Sequence, residues 1–398
     1  MKILNLAGIC RIIRNKVCKK AMEAAENTPS PAKPFRVLCL DGGGMRGIYT
    51  AAFLDRLLDQ YRRIRKVEHL DLGRGFDLIA GTSTGAIIAC GAAIGRPMSD
   101  LVNLYRDWGG RIFPERITES KGTLFARIAK GGNIVRAGDA ALRKALSAEL
   151  GDITMLDVYR KRGISLSIPT VAMSTHRAWV FKKTKTSGVR DDNYKLADVC
   201  LASSAAPIYR SLAAIKNPDS KHEQIEVFAD GGLWANNPVM VGMLDALMNA
   251  ENGQPIEIFS LGTCSRPEGE EISPTKVHRS MLQWKLGADV APLSITAQEF
   301  AFDNMARMFS NVLSKCGKDV HHVRFPQQKI PASKLEYLGL DDSRPEAMNA
   351  LMSQASTDAD MVKSACDDAR NPQGQLIHNL MMSLPTMPET GIPKELFQ

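Results

Sequence analysis

The chain has 398 residues, of which 44% are hydrophobic and 24% charged, with a formal net charge of +8. These values are typical of globular proteins and exclude a largely disordered chain, and no apolar run approaches the ~20 residues that a membrane-spanning helix needs. Eight cysteines without a CxxC pair exclude a disulfide scaffold and a zinc ribbon. Their apolar surroundings indicate buried thiols in a reducing compartment.

The positive charge is concentrated at the N-terminus, where residues 1–34 hold seven lysines and arginines against two glutamates. Apolar residues at helical spacing over 1–22 predict a basic amphipathic helix, which either lies on anionic lipid or docks on the protein's own body. Three prolines over 27–34 predict a linker. Because the rest of the chain carries only a small positive excess, we expect no nucleic-acid polymer as a partner.

Two units of strand, glycine-rich turn and helix follow the linker. In the first, a strand at 35–40 and a turn at 41–47 lead into a helix at about 48–61. In the second, a strand at 76–80 and a turn at 81–85 lead into a helix at 86–94. This repeated pattern predicts an α/β protein with a mostly parallel central sheet covered by helices.

The remaining elements extend this pattern to the C-terminus. We expect strands at 165–174, 178–181, 225–229, 256–261 and 321–325, and helices over 98–160, 284–314 and 341–366, with breaks in the first helical region at Gly109-Gly110 and Gly131-Gly132. The end of the chain from Ser383 is rich in proline and methionine and predicts a loosely held tail. The resulting division is an N-terminal segment (1–34), a main domain (35–325) and a C-terminal helical extension with a tail (326–398).

The turn of the second unit, Gly81-Thr-Ser-Thr-Gly85, has the GxSxG spacing of a nucleophile elbow. Gly81 and Gly85 flank Ser83 because the strand and the helix approach each other closely at such a turn. The N-terminus of the helix then favours negative charge developing beside the serine. A Ser/Thr-rich helix cap is the alternative interpretation. The apolar strand before the turn and the helix after it favour Ser83 as a nucleophile.

The turn of the first unit contains Gly42, Gly43 and Gly44, whose consecutive backbone N–H groups can bind an anion. A phosphate loop is one interpretation, but the GxxxxGK[ST] pattern is absent, and a GxGxxG match is weak in a run so rich in glycine. The other interpretation is an oxyanion hole for acyl transfer at Ser83, which the nearby elbow favours. Arg46 either adds positive charge beside this loop or pairs with a surface carboxylate.

Asp230 ends a predicted strand, and Gly231 and Gly232 follow it, so that its carboxylate can face a cleft without steric obstruction. As a general base it needs hydrogen-bond reach to the Ser83 hydroxyl. A triad in the order Ser, Asp, His is the alternative. None of the histidines downstream of Asp230 lies in a glycine-flanked turn at the end of a strand, which favours a Ser–Asp dyad.

Together, the segments at 41–47, 81–85 and 230–232 resemble the DGGGxRG, GxSxG and DGG/A motifs of the patatin-like phospholipases. The resemblance covers about residues 35–265 and extends weakly to 325. It implies a three-layer fold with helices on both faces of the sheet, Ser83 as nucleophile, Asp230 as base and an oxyanion hole around Gly42–Gly44. It also implies esterase action on phospholipids or lysolipids, with no metal and no cofactor. Acyl transfer to another acceptor, or a lipid- or nucleotide-binding module on the same scaffold, are the alternatives.

Residues 40–51 and 234–239 are similar to a bacterial subgroup of that family that acts in anti-phage signalling and degrades the host membrane once a cyclic dinucleotide binds. The resemblance implies membrane phospholipid as substrate, a cyclic dinucleotide as candidate activator and homo-oligomerisation as a candidate assembly. It also implies a cytoplasmic protein that acts at the inner face of the membrane. Arg62, Arg63, Arg65 and Lys66 form a basic cluster that could bind the anionic activator or be a solvated helix face.

Overall fold

The structure is a computed structural model that describes residues 33–114, 121–264, 272–280, 284, 290–328 and 330–387. The predicted N-terminal amphipathic helix and most of the predicted linker lie outside these ranges. From Phe35 onward, the described residues form one compact unit. Within these ranges, no helix combines the length and the hydropathy that a membrane span requires.

The described residues contain eight strands, all in one sheet. They are β1 (Phe35–Leu40), β2 (Leu78–Gly81), β3 (Ser165–Ala172), β4 (Arg177–Lys183), β5 (Ala213–Lys216), β6 (Ile225–Asp230), β7 (Ile256–Leu261) and β8 (Val320–Arg324). Their order is β5-β6-β3-β2-β1-β7-β8, with β4 paired to β3. The five strands from β3 to β8 along this path are parallel, whereas β4, β5 and β6 pair antiparallel to their neighbours.

Helices connect and cover these strands. They are α1 (Gly47–Arg65), α2 (Thr84–Ala93), α3 (Met98–Ile112), α4 (Lys121–Leu150), α5 (Met155–Arg162), α6 (Leu196–Ser203), α7 (Gly232–Ala235), α8 (Val239–Asn249), α9 (Val290–Lys315), α10 (Pro345–Asp367) and α11 (Pro372–Ser383). Short 3₁₀ helices lie at Gly44–Arg46, Gly73–Gly75, Pro274–Lys276 and Ala332–Tyr337.

The sheet is the middle of three layers, because successive residues of its central strands face opposite sides. In β1, Leu38 and Leu40 belong to the larger apolar core, under α1, α2, α3 and α10. Val37 and Cys39 point the other way, into a second core with α8 and α9. The expected α/β architecture, a mostly parallel sheet with helices on both faces, is therefore present.

Several sequence-based boundaries differ from the structure. The glycine pairs at 109–110 and 131–132 lie inside α3 and α4, so the predicted helix breaks are wrong. Helices α6, α8 and α11 and the edge strand β5 were not predicted. The predicted C-terminal extension packs on α1, and residues 384–387 are held against 69–71, where Asp71 N–H donates to the Pro385 carbonyl at 2.8 Å. The start of the tail is thus anchored, and residues 388–398 lie outside the described residues.

Candidate active site

Strands β2 and β6 share one edge of β3, and this arrangement brings Ser83 and Asp230 together. Strand β4 occupies the other edge of β3 over 166–172, so β2 beside 165–167 and β6 beside 170–172 follow one another along a single edge. Because β2 is parallel and β6 antiparallel to β3, their carboxyl ends meet. Ser83 follows the end of β2, and Asp230 is the last residue of β6. The two sit near the same level of the sheet although 147 positions separate them.

The Ser83 hydroxyl donates to Asp230 Oδ2 at 2.8 Å, and both side chains are buried. Ser83 has φ 56° and ψ −121°, a backbone conformation that residues with a side chain rarely adopt. A Cβ at Gly81 would overlap the Gly85 carbonyl, and one at Gly85 would overlap the Leu40 carbonyl. The two glycines therefore permit the sharp turn between β2 and α2 that presents the hydroxyl.

The Asp230 carboxylate is held by two hydrogen bonds, from the Ser83 hydroxyl to Oδ2 and from the Gly232 N–H to Oδ1 at 2.6 Å. Burial raises the pKa of Asp230 from 3.8 to about 6, while the Gly232 and Ser83 hydrogen bonds and the positive charge of Arg210 act in the opposite direction. A Cβ at Gly231 would overlap the Pro169 carbonyl. Asp230 is thus mostly ionised at neutral pH and more basic than an ordinary carboxylate.

The glycine loop after β1 lies beside Ser83, since a Cβ built on Gly42 would come 3.2 Å from the Ser83 Cβ. The Gly42 N–H donates to the Asn236 carbonyl at 2.9 Å, so in this conformation it is not available to a ligand. The N–H groups of Gly43 and Gly44 have no hydrogen-bond partner among the described residues. Gly44 has a φ of +57°, in the left-handed region that glycine adopts readily. The available donors of the predicted oxyanion loop are therefore Gly43 and Gly44.

Arg46 is buried in the 3₁₀ turn after the glycine loop, with its Nε 3.5 Å from the Gly43 carbonyl oxygen. Within the described part of the chain, it forms no ion pair. Of the two interpretations from the sequence, the structure therefore places Arg46 beside the loop rather than against a surface carboxylate.

A cavity of about 280 Å³ opens beside the dyad and is lined mainly by apolar side chains. Helices α3, α4 and α9 supply part of its wall. The apolar lining includes Met45, Ile87, Leu104, Ile112, Phe113, Leu142, Pro207, Ile208, Leu233, Ile295 and Leu340. Met305 and Met308 are half or more exposed on α9 and do not line this cavity.

Two residues that support the site were missed by the sequence analysis. The Ser203 hydroxyl at the end of α6 accepts the Ser83 N–H at 2.9 Å and donates to the Pro169 carbonyl at 2.7 Å. Asn236 donates from its side-chain amide to the Gly42 carbonyl at 3.1 Å and to Glu299 Oε1 at 2.5 Å. The only signals were the ASSAAP segment before the DGG turn and the Asn-Asn-Pro segment after it, neither of which indicates these contacts.

No histidine within the described ranges contacts Ser83 or Asp230 or lines the cavity. His322 lies in β8, and its Nε2 forms a hydrogen bond of 2.8 Å with the Ser260 hydroxyl. Among the described residues, no cluster of three or more His, Cys, Asp or Glu side chains could hold a metal ion.

The basic cluster at the end of α1 is engaged locally. Arg62 and Arg63 both pair with Asp59, at 2.5 and 2.7 Å. Arg65 donates to the carbonyl oxygens of Met381 and Leu384. These contacts favour the interpretation of this cluster as a helix face over that of an anion site.

Comparison with known proteins agrees with the motifs. The family model described as patatin-like phospholipase matches residues 38–243. A protein of Vibrio cholerae serotype O1 named cGAMP-activated phospholipase is 32% identical over 245 residues, which are 60% of this chain and 65% of that protein, so the match spans slightly less than two thirds of it. An Escherichia coli protein of the same name is 30% identical over 281 residues, which are 68% of this chain and 74% of that protein.

Among solved structures, human GIVD cytosolic phospholipase A2 aligns with a TM-score of 0.40 and 9% identity, over 88% of this chain and 60% of that one, a likeness too weak to support a conclusion. The family-model match and the relatives do support a conclusion about the family. The chain belongs to the patatin-like phospholipase family.

Proposed function

We propose that the protein is a serine esterase of the phospholipase A or lysophospholipase type, which hydrolyses acyl esters of membrane phospholipids. The observation that carries the proposal is the hydrogen bond of 2.8 Å between the Ser83 hydroxyl and the buried Asp230 carboxylate, beside an apolar cavity. Family membership and the names of the relatives support the choice of substrate.

In the acylation half-reaction, Ser83 Oγ attacks the ester carbonyl carbon while its proton passes to Asp230 Oδ2. The N–H groups of Gly43 and Gly44 stabilise the oxyanion of the tetrahedral intermediate, where each well-placed donor contributes about 3–4 kcal/mol. The intermediate collapses, and the leaving alkoxide takes the proton from Asp230. The lysophospholipid or glycerophosphodiester product departs and leaves an acyl ester on Ser83.

In the deacylation half-reaction, water replaces the first product. Asp230 accepts a proton from this water, whose oxygen attacks the acyl carbonyl, and the same two N–H groups stabilise the second oxyanion. Collapse releases the fatty acid, and Ser83 Oγ recovers the proton from Asp230. The elevated pKa of Asp230, caused by burial, makes both proton transfers easier than they would be for an exposed carboxylate.

We further propose that a cyclic dinucleotide switches this activity on, that the protein acts at the inner face of the cytoplasmic membrane, and that it assembles as a homo-oligomer. The two relatives are named as cGAMP-activated, which supports the first part. An enzyme that degrades membranes needs control, because constitutive activity is toxic to its own cell.

The test is mass spectrometry of lipid products from phospholipid vesicles incubated with the protein, with and without cGAMP and other cyclic dinucleotides. We expect free fatty acid and lysolipid from the wild type with an activator, and none from Ser83→Ala. Equal rates with and without every nucleotide would refute the activation. Acyl chains found on an acceptor other than water would identify an acyltransferase, and tight lipid binding without products would identify a binding module.

A further inference from the structure

Arg210 is a buried cation in the wall of the catalytic cavity. It follows α6 and precedes β5, it is 8% exposed, and it lines the cavity together with Ser83 and Asp230. Its positive charge acts to lower the pKa of Asp230, which lines the same cavity. A guanidinium that is withdrawn from water costs free energy unless hydrogen bonds or an opposite charge replace the lost hydration.

The contacts of Arg210 within the described structure do not fully replace the hydration that its guanidinium loses on burial. Its one ion pair in the described structure joins an Nη atom to Asp139 Oδ1 at 3.4 Å, a long contact, while the other oxygen of Asp139 accepts from Arg143 at 2.8 Å. Arg210 Nε is buried and has no hydrogen-bond partner among the described residues. Burial lowers the pKa of Arg210 to about 10, which keeps it charged at neutral pH.

The other polar side chains of the cavity are better satisfied. Thr84 and Tyr105 bond to each other, Ser204 donates to the Cys200 carbonyl at 2.7 Å, and Asn236 is held by Gly42 and Glu299. Among the cavity-lining side chains of the described ranges, Arg210 is therefore the one with a buried N–H donor that has no acceptor.

An acyl chain gives no reason for a cation in an apolar cavity. A phospholipid substrate also carries a phosphodiester on the same glycerol unit as its esters, and guanidinium is the side chain best shaped to donate two parallel hydrogen bonds to phosphate oxygens. We propose that Arg210 binds the phosphodiester of the substrate while an ester carbonyl lies at Ser83, and so selects phospholipids over neutral glycerides. This inference rests on the proposed phospholipase function.

The test compares two substrates with identical acyl chains, a phosphatidylcholine and the corresponding diacylglycerol, in the same mixed micelles with cGAMP present. Measurements at pH 8, above the pKa of Asp230, avoid effects on the ionisation of the base. We expect Arg210→Gln to lower kcat/KM for phosphatidylcholine by about 10- to 100-fold, mainly through KM. Diacylglycerol hydrolysis should change little, and Arg210→Lys should recover part of the loss.

Arg143→Gln is the matched control. Arg143 also pairs with Asp139, but unlike Arg210 it does not line the cavity. This variant should leave the ratio of the two substrates unchanged. Equal losses on both substrates in Arg210→Gln, or the same change of ratio in Arg143→Gln, would show a structural role and overturn the inference. If the wild type cleaves diacylglycerol but not phosphatidylcholine, the proposed phospholipase function itself fails.

A second measurement does not depend on the folding of Arg210→Gln. Glycerophosphocholine, a soluble phosphodiester, should competitively inhibit hydrolysis of p-nitrophenyl butyrate by the wild type, with weaker inhibition of Arg210→Lys. Inhibition by oleate but not by glycerophosphocholine would identify a carboxylate site for the released fatty acid and would contradict the proposal.

Discussion

Gly42 and Asn236 are joined by two hydrogen bonds that run in opposite directions. The Gly42 N–H donates to the Asn236 carbonyl at 2.9 Å, and the Asn236 side chain donates to the Gly42 carbonyl at 3.1 Å. This pair fixes the peptide planes at the start of the glycine loop, from which the N–H groups of Gly43 and Gly44 follow. Glu299 in α9 holds the same Asn236 side chain at 2.5 Å. The position of the oxyanion donors therefore depends on Asn236, which follows α7, and on Glu299 in α9.

Asn236→Ala removes the bond to the Gly42 carbonyl and the contact with Glu299. We expect kcat to fall by about 10- to 100-fold with little change in KM, because a misplaced oxyanion donor affects the transition state more than the bound substrate. Gln298→Ala is the control, since Gln298 contacts the Leu233 carbonyl from the same helix but does not touch the loop. An unchanged kcat in Asn236→Ala would show that this residue does not position the loop.

Ser203→Ala removes the acceptor for the Ser83 N–H and the donor to the Pro169 carbonyl, and leaves both backbone groups buried without these partners. We expect a loss of about 1–3 kcal/mol in the free energy of unfolding, together with a lower kcat. Ser204→Ala is the neighbouring control for the stability loss, because the Ser204 side chain lines the cavity but its hydroxyl donates only to the Cys200 carbonyl in the described structure. Chemical denaturation and ester hydrolysis of both variants check this, and equal effects in the two would contradict a specific support of the elbow by Ser203.

The pH dependence of the reaction should follow Asp230. Because the base must be ionised and burial raises its pKa to about 6, kcat/KM should fall with decreasing pH, with a midpoint near pH 6. The fall should approach tenfold per pH unit below the midpoint. A pH profile of p-nitrophenyl ester hydrolysis measures it, and a constant kcat/KM down to pH 5 would contradict the assignment of Asp230 as base.

The same raised pKa has a consequence for stability. The folded protein binds a proton at Asp230 more tightly than the unfolded chain, in which the pKa is near 3.8. The stability contribution of Asp230 is thus greatest below pH 3.8 and is lost as pH rises through about 6. Asp230→Asn, which cannot ionise, should stabilise the fold at pH 8 by on the order of 1–3 kcal/mol, and by less at pH 5, while abolishing activity.

Urea denaturation at the two pH values measures this difference. Ser83→Ala is the control, because it keeps the buried carboxylate and removes only one of its hydrogen bonds. If Asp230→Asn changes the free energy of unfolding by the same amount at pH 5 and at pH 8, the pKa of Asp230 is not raised in the folded protein.

The sequence predicted the α/β class, the central strands and the close approach of Ser83 and Asp230, because short motifs at strand ends determine those features locally. It failed where long-range packing decides. Gly109 lies inside α3 and packs against the end of the Met45 side chain, although glycine costs a helix about 1 kcal/mol relative to alanine. Helix α6 is buried except at the half-buried Asp198 and therefore shows no amphipathic pattern, and β5 has only four residues.

The same limit applies to the site. The GxSxG and DGG patterns predict a nucleophile and a base, because steric demands at those turns select glycine. No pattern indicated the contacts of Ser203, Asn236 or Arg210. Their roles arise from contacts with Ser83, Gly42 and the cavity, which only the assembled layers provide.

The most direct test of the Ser–Asp dyad is to inactivate the protein with a fluorophosphonate and locate the adduct by peptide mass spectrometry. We predict a single covalent adduct on Ser83 in the wild type, and labelling at least 100-fold slower in Asp230→Asn, because the hydroxyl then has no base. An adduct on another residue, or undiminished labelling of Ser83 in Asp230→Asn, would contradict the account.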